Sequence, residues 1–241
     1  MNTIKSFLWK TFFLLFMLIC LVAYFFIVPF KLILSKKKYR RLIHAGVSFW
    51  GRVTVRSTGS RVIIEGAELI PASESICYIG NHQGLFDIPS FLGFIGKPVG
   101  FVAKQELFKV PILSLWMKEI PCVFIDRKNA RKAMETFKAS AGIIRGGHPL
   151  VIFPEGTRSK SDTMGIFHLG SLKLPQMADA TIVPFVIKGS WRILEIDKKI
   201  HKSLIRIKIL PPILPTDPIY RDKHKLSEFL HSTIKSNLET I

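Results

Sequence analysis

The sequence predicts an α/β fold: a mixed, largely parallel sheet flanked by helices, preceded by an N-terminal membrane-embedded helical segment. Three observations carry this expectation. Short β-rich runs alternate with helical ones from about residue 53 onward. Four of those runs are apolar and end in polar residues, as strands do when they deliver side chains to one edge of a sheet. Residues 11–30, TFFLLFMLICLVAYFFIVPF, contain no charge over 20 positions. As a helix that run is about 30 Å long, roughly the thickness of a bilayer core.

The apolar run comes first in the chain. It is long for the apolar region of a signal peptide, and no small-x-small cleavage site follows it. Lys31, Lys36, Lys37, Lys38, Arg40 and Arg41 come next and suit anionic lipid headgroups. Lys5 and Lys10 precede the run, so the heavier positive side is C-terminal, which places the remaining domain in the cytoplasm. The segment either spans the bilayer or bends back, at Pro29 or through the next stretch, and stays in one leaflet. Residues 42–55 (LIHAGVSFWGRVTV) are semi-apolar around Trp50 and read as an interfacial helix. Residues 1–56 are therefore assigned to a membrane anchor with a basic interfacial helix, and residues 57–241 to the α/β domain.

Eight runs read as strands: VTVRST, RVIIEG, SICYIGN, GKPVGFVAK, IPCVFID, PLVIFPEG, ATIVPFVIKG and LIRIKILPPI. Helices are expected over 88–94, 111–118, 130–144, 169–179 and 225–240. The third is the clearest. Asn129 is placed to cap it, Gly146 and Gly147 stop it, and Met134, Phe137, Ala141 and Ile144 recur at three- and four-residue steps.

Lys and Arg number 35 against 17 Asp and Glu, a formal charge of +18. Such a chain attracts anionic partners. Nucleic acid is disfavoured by the anchor and by the lack of a helix-turn-helix, zinc finger or RNP-like aromatic stretch. Cys20, Cys77 and Cys122 are odd in number and widely spaced, which argues against a disulfide framework and for a reducing compartment. No HExxH pattern or Cys/His cluster points to a metal.

The four strand-like runs with polar ends are SICYIGN-HQGLFD, GFVAK-QE, VFI-DR and LVIF-PEGTRS. In the first, His82 precedes Asp87 by five residues. On a continuous helix that step rotates by about 140° and separates the side chains. A turn at Gly84 with a helix starting near Asp87 would instead let the carboxylate hold one ring nitrogen and free the other to take a proton. The competing reading is a surface histidine beside a helix-capping Asp87. In the fourth, Pro154 ends a buried strand, Gly156 permits close backbone approach, and Arg158 offers a planar fork suited to phosphate. The competing reading there is an ordinary βα turn with an internal Glu155–Arg158 pair. Lys104 and Arg127 end the other two runs, either as phosphate ligands or as solvated surface charges. No GxSxG elbow and no GxxxxGK[ST] loop occurs, so a histidine base acting directly on a substrate hydroxyl is preferred over covalent catalysis.

Together these stretches resemble the glycerolipid acyltransferase family, specifically the 1-acyl-sn-glycerol-3-phosphate acyltransferases. That family is marked by N-H-x4-D, a K-x-E-L stretch followed by I-D-R, then F-P-E-G-T-R-S and a V-P element. Here they read NHQGLFD (81–87), KQELFKVP (104–111) with FIDR (124–127), FPEGTRS (153–159) and IVPF (182–185), in order, across nearly half the chain. The resemblance implies the glycerolipid acyltransferase fold and a reaction in which His82, oriented by Asp87, deprotonates the free hydroxyl of lysophosphatidate for attack on a fatty acyl thioester. It implies substrate contacts from Lys104, Arg127, Glu155, Gly156, Thr157 and Arg158. The acyl carrier would be coenzyme A or acyl carrier protein, with no metal or redox cofactor, and membrane lipids would surround the acceptor. Nearby readings are transfer to glycerol-3-phosphate or another lysophospholipid, and a membrane-bound thioesterase. Two departures stand out. Gly84 replaces the family's usual Ser or Thr, and Phe167-His168-Leu169-Gly170 stands where F-K-x-G is common.

Overall fold

The computed structural model describes residues 2–72, 75–126 and 129–241. Seven strands form one sheet: β1 (Arg61–Glu65), β2 (Ile76–Gly80), β3 (Gly100–Lys104), β4 (Val123–Ile125), β5 (Leu150–Ile152), β6 (Thr181–Lys188) and β7 (Leu204–Ile209). Their order is β1-β7-β6-β2-β5-β3-β4. Every neighbouring pair is parallel except β6 and β7, which are antiparallel. The sheet is thus mixed and largely parallel. β2 lies between β6 and β5, in register from Ile76↔Thr181 and Cys77↔Leu150.

β2 shows why a continuous apolar run suits this place. All five of its residues are buried. Because side chains alternate along a strand, Tyr78 joins one hydrophobic layer while Cys77 and Ile79 join the other. The first layer contains Phe91 and Leu92 of α3 (Asp87–Phe94) and the inner face of α2 (Lys36–Arg56). The second contains Phe137, Ala141 and Ile144 of α5 (Ala130–Arg145) and Leu226, Leu230 and Ile234 of α7 (Lys223–Thr240). α5 begins as its sequence predicts, with the Lys132 N–H donating to Asn129 Oδ1 at 3.0 Å, and ends before Gly147 at φ 79°. The expected helix over 169–179 divides into a 3₁₀ turn (Leu169–Leu172) and α6 (Lys173–Ala178). α4 spans Leu113–Glu119.

The first expected strand is wrong. Residues 53–58 belong to the last turn of α2 and its exit. The local run VTV favours a strand, but Tyr39, Ile43, Val47, Gly51 and Val55 repeat every four residues and form a continuous buried face. Tertiary packing on that face outweighs β propensity, which is worth only about 1 kcal/mol. Residues 42–55, read as an interfacial helix, are the larger part of α2, and Tyr39, Ile43, Val47 and Val55 contribute to the core that covers the sheet.

α1 spans Asn2–Ile27 and is followed by a 3₁₀ turn, Val28–Leu32, that holds Pro29 near its start. The chain then reverses, and Ser35 Oγ caps α2 by accepting from the Lys38 N–H. α1 and α2 run antiparallel: Trp9 Nε1 donates to Ser57 Oγ at 2.9 Å, and Trp50 Nε1 reaches Met17 Sδ at 3.3 Å. Further along, Trp116 Nε1 of α4 donates to the Cys20 carbonyl, and near the start of the helix the Ile200 N–H donates to Ser6 Oγ. The opposite side of α1 leaves Phe7, Leu15, Ile19, Val22, Phe25 and Phe26 exposed. By length and composition this is one helix apolar enough to cross or enter a membrane.

Candidate active site

The carboxyl ends of β2, β5 and β6 converge, since the three strands are adjacent and parallel. Just beyond β2, the Asn81 side chain pairs with both backbone groups of Ile187, donating to its carbonyl and accepting from its N–H at 2.8 Å each. This fixes the exit of β2 against β6. The chain then turns and re-enters as α3, whose first residue is Asp87.

Asp87 is fully buried. Its Oδ2 accepts from the N–H groups of Gln83 at 2.7 Å and Gly84 at 3.0 Å, and lies 2.5 Å from His82 Nδ1. Its Oδ1 accepts from Ser190 Oγ. A buried carboxylate is tolerated because both oxygens are hydrogen-bonded, Oδ2 to three donors and Oδ1 to Ser190. With an acceptor on that side, His82 carries its proton on Nδ1. The imidazole stacks on the Phe153 ring at 4.1 Å and 14°. Nε2 has no hydrogen-bond partner among the described residues, and the side chain keeps 17% exposure. The strand–turn–helix geometry is the one that a five-residue His–Asp step requires.

The loop after β5 grips the same turn from the other side. Glu155 Oε1 accepts from the His82 N–H and Oε2 from the Gly165 N–H, each at 2.7 Å. In return the Ser159 and Lys160 N–H groups donate to the carbonyls of His82 and Gln83. Gly156 sits at φ 69°, in the left-handed region, so this sharp exit from Pro154 favours glycine. Burial pushes the Glu155 carboxyl above its usual range, and the two backbone donors oppose that shift.

The expected cations divide. Arg158 Nη1 lies 2.6 Å from Glu195 Oε1, so its carboxylate partner is Glu195, not Glu155. Lys104, at the end of β3, is exposed and pairs with Glu106 at 3.0 Å. Thr157 is exposed on the loop between Gly156 and Arg158. Arg127 lies outside the described residues.

Sequence reasoning missed a whole wall of the site, residues 189–195. The Gly189 N–H donates to Gln83 Oε1 at 2.8 Å, and Ser190 bonds Asp87. Trp191 Nε1, Arg192 Nη2 and Gln83 Nε2 all donate to Asp162. The available signal was the polar end of ATIVPFVIKG-S, a fifth apolar run of the same kind as the four already singled out. This wall also accounts for Gly84: a Cβ there would lie 3.0 Å from Trp191 Cα and 3.4 Å from Glu195 Cγ.

Residues 61–188, more than half of the chain, match the family described as Acyltransferase. The "Probable 1-acyl-sn-glycerol-3-phosphate acyltransferase" of Mycoplasma pneumoniae is 36% identical over 152 residues, covering 61% of this chain and 56% of that protein. The chloroplastic "1-acyl-sn-glycerol-3-phosphate acyltransferase LPAT1" of Arabidopsis thaliana is 28% identical over 189 residues, 77% of this chain and 52% of that one. The chain spans about half the length of these curated relatives. The crystal structure of the 1-acyl-sn-glycerophosphate (LPA) acyltransferase PlsC from Thermotoga maritima superposes with a TM-score of 0.84 at 24% identity, covering 100% of this chain and 97% of that one, which shows a shared fold. On the match across β1 to β6, which includes both loops that hold His82, this chain belongs to the acyltransferase family.

Proposed function

We propose that the protein transfers a fatty acyl group from a thioester donor to the free hydroxyl of 1-acyl-glycerol-3-phosphate, giving phosphatidic acid. One observation carries the reading: a histidine whose Nδ1 is held by a fully buried aspartate while Nε2 has no hydrogen-bond partner among the described residues and the ring keeps some exposure. Nε2 takes the hydroxyl proton as the oxygen attacks the thioester carbonyl. The tetrahedral intermediate collapses, the C–S bond breaks, and the thiolate recovers the proton from the imidazolium. Asp87 keeps the tautomer and stabilises the transient cation, as the acid of a triad does. Arg158, with Lys104 and Arg127, receives the acceptor phosphate, while Glu155, Gly156 and Thr157 shape the loop around it. The donor is acyl-CoA or acyl carrier protein. Both are anionic and suit a chain of +18, and the reaction needs no metal or redox cofactor. The relatives' printed names support this choice of acceptor.

The same reading places the protein on the cytoplasmic face of a membrane. α1 docks along α2 with its outer face apolar, an arrangement that suits insertion into one leaflet and sets the site at headgroup level. The deciding assay offers purified protein a radiolabelled acyl donor and a panel of acceptors. Labelled phosphatidic acid from lysophosphatidate is the expected product. Label passing only to glycerol-3-phosphate would reassign the acceptor. Release of free fatty acid at the same rate with and without acceptor would identify a thioesterase instead.

A further inference from the structure

Resting on that reading of the site, we propose that Glu195 is a positioning residue for the acceptor phosphate: it holds one edge of the Arg158 guanidinium against the turn that carries the base. Glu195 Oε1 accepts from two donors at once, Arg158 Nη1 at 2.6 Å and the Leu85 N–H at 3.1 Å. Leu85 belongs to the turn whose preceding N–H groups, Gln83 and Gly84, hold Asp87. A single carboxylate oxygen thus links the cation of the FPEGTRS loop to the turn of the His82–Asp87 pair. The Glu195 side chain is only 11% exposed, whereas Arg158 keeps 32%. The acid is the fixed member, and the guanidinium is the one that reaches solvent. Only Nη1 is bonded to Glu195. A planar five-donor fork held at one corner still presents N–H groups to a phosphate, with fewer rotamers to lose on binding.

Gly84 supports the assignment independently. A Cβ at that position would sit 3.0 Å from Trp191 Cα and 3.4 Å from Glu195 Cγ. The family's usual Ser or Thr would press on the segment that brings Glu195 to Leu85. The glycine and the glutamate form one arrangement, in which the missing side chain makes room for the clamp.

The test measures binding of a soluble short-chain lysophosphatidate to the purified full-length protein by calorimetry, with turnover measured alongside. Glu195→Ala is expected to raise Kd about tenfold, the loss for one charge-assisted clamp. Arg158→Ala should raise it at least as much, and the double variant should be no worse than Arg158→Ala alone. Glu195→Gln, which keeps a neutral acceptor for both N–H groups, should bind between wild type and Glu195→Ala. Gly84→Ser should weaken binding in the same direction. With monoacylglycerol, which has no phosphate, Glu195→Ala should lower turnover several-fold less than with lysophosphatidate, since only the bond to the Leu85 N–H is then lost. Wild-type affinity in Glu195→Ala, losses that multiply in the double variant, or an equal loss on monoacylglycerol would overturn the proposal. If the wild type binds lysophosphatidate but acylates nothing, acyl transfer fails as the function while the binding cycle still decides the role of Glu195. If it does not bind lysophosphatidate, both fall.

Discussion

His82 is useful because of what its neighbours deny it. Nδ1 is committed to Asp87, the ring face is covered by Phe153, and the backbone N–H and carbonyl are taken by Glu155 and Ser159. Only Nε2 remains. His82→Ala should lower turnover by about a thousandfold while vesicle binding persists, since general base catalysis is worth roughly 10²–10⁴. Retained turnover would refute the mechanism. Asp87 and Ser190 form the next layer. Ser190→Ala removes the donor to Oδ1 of a fully buried carboxylate and should destabilise the fold by about 1–3 kcal/mol, seen as a lower thermal midpoint in detergent. Glu155 carries a pH signature. Its folded pKa is raised by burial, so the folded state holds that proton more tightly than the unfolded chain does. The associated stabilisation is complete below the unfolded carboxyl value of about 4.3 and disappears as pH rises through the folded value. Unfolding scans from pH 4 upward should therefore show the advantage of wild type over Glu155→Gln narrowing with pH. A gap that widens would reverse the sign and exclude burial as the dominant influence on Glu155.

At the scale of elements, what was legible depended on whether local pattern and tertiary packing agreed. For β2, β5 and α5 they agreed. Fully apolar runs became strands buried on both faces, and a capped, periodic segment became a helix. The His82–Asp87 pair was legible because a short loop fixes both partners within one stretch of sequence. The wall at 189–195 was not, because its bonds to Asp87, Leu85 and Arg158 join residues 37 to 110 positions apart. Likewise residues 53–55 show β-branched side chains that favour a strand, and the packing of α2 on α3 and on the core that covers the sheet makes them helical. Gly51 and Gly93 let those two helices touch. A Cβ on Gly51 would lie 2.5 Å from the Pro89 carbonyl oxygen and 2.7 Å from the Gly93 nitrogen. Helix propensity alone favours Ala over Gly by about 1 kcal/mol. Contacts that close to backbone atoms cannot be relieved by a rotamer change, and forced overpacking costs about 1–3 kcal/mol or more. Gly51→Ala should therefore lower the thermal midpoint, and Gly51→Val should lower it further. A raised midpoint in Gly51→Ala would mean that α2 and α3 separate readily.

For the molecule as a whole, two forces are available to hold it at a bilayer, and their sizes decide which dominates. The basic cluster Lys31, Lys36, Lys37, Lys38, Arg40 and Arg41 contributes about 1 kcal/mol per residue near an anionic surface, roughly 6 in all, and salt screens it within about 10 Å. The outer face of α1 exposes Phe7, Leu15, Ile19, Val22, Phe25 and Phe26. Burying such side chains is worth about 1.5–3 kcal/mol each, so these six alone exceed the charges, and salt does not weaken them. The protein should accordingly co-float with both anionic and zwitterionic vesicles, and 1 M salt should release only a minor fraction. Replacing Ile19, Val22 and Phe26 by lysine should leave the α/β domain folded, since Trp9, Met17 and Cys20 make the contacts to α2 and α4. That variant should float only with anionic vesicles and come off in salt. If the triple variant still floats with zwitterionic vesicles at high salt, the outer face of α1 is not the membrane contact, and the reading that sets the His82 site at headgroup level must be given up.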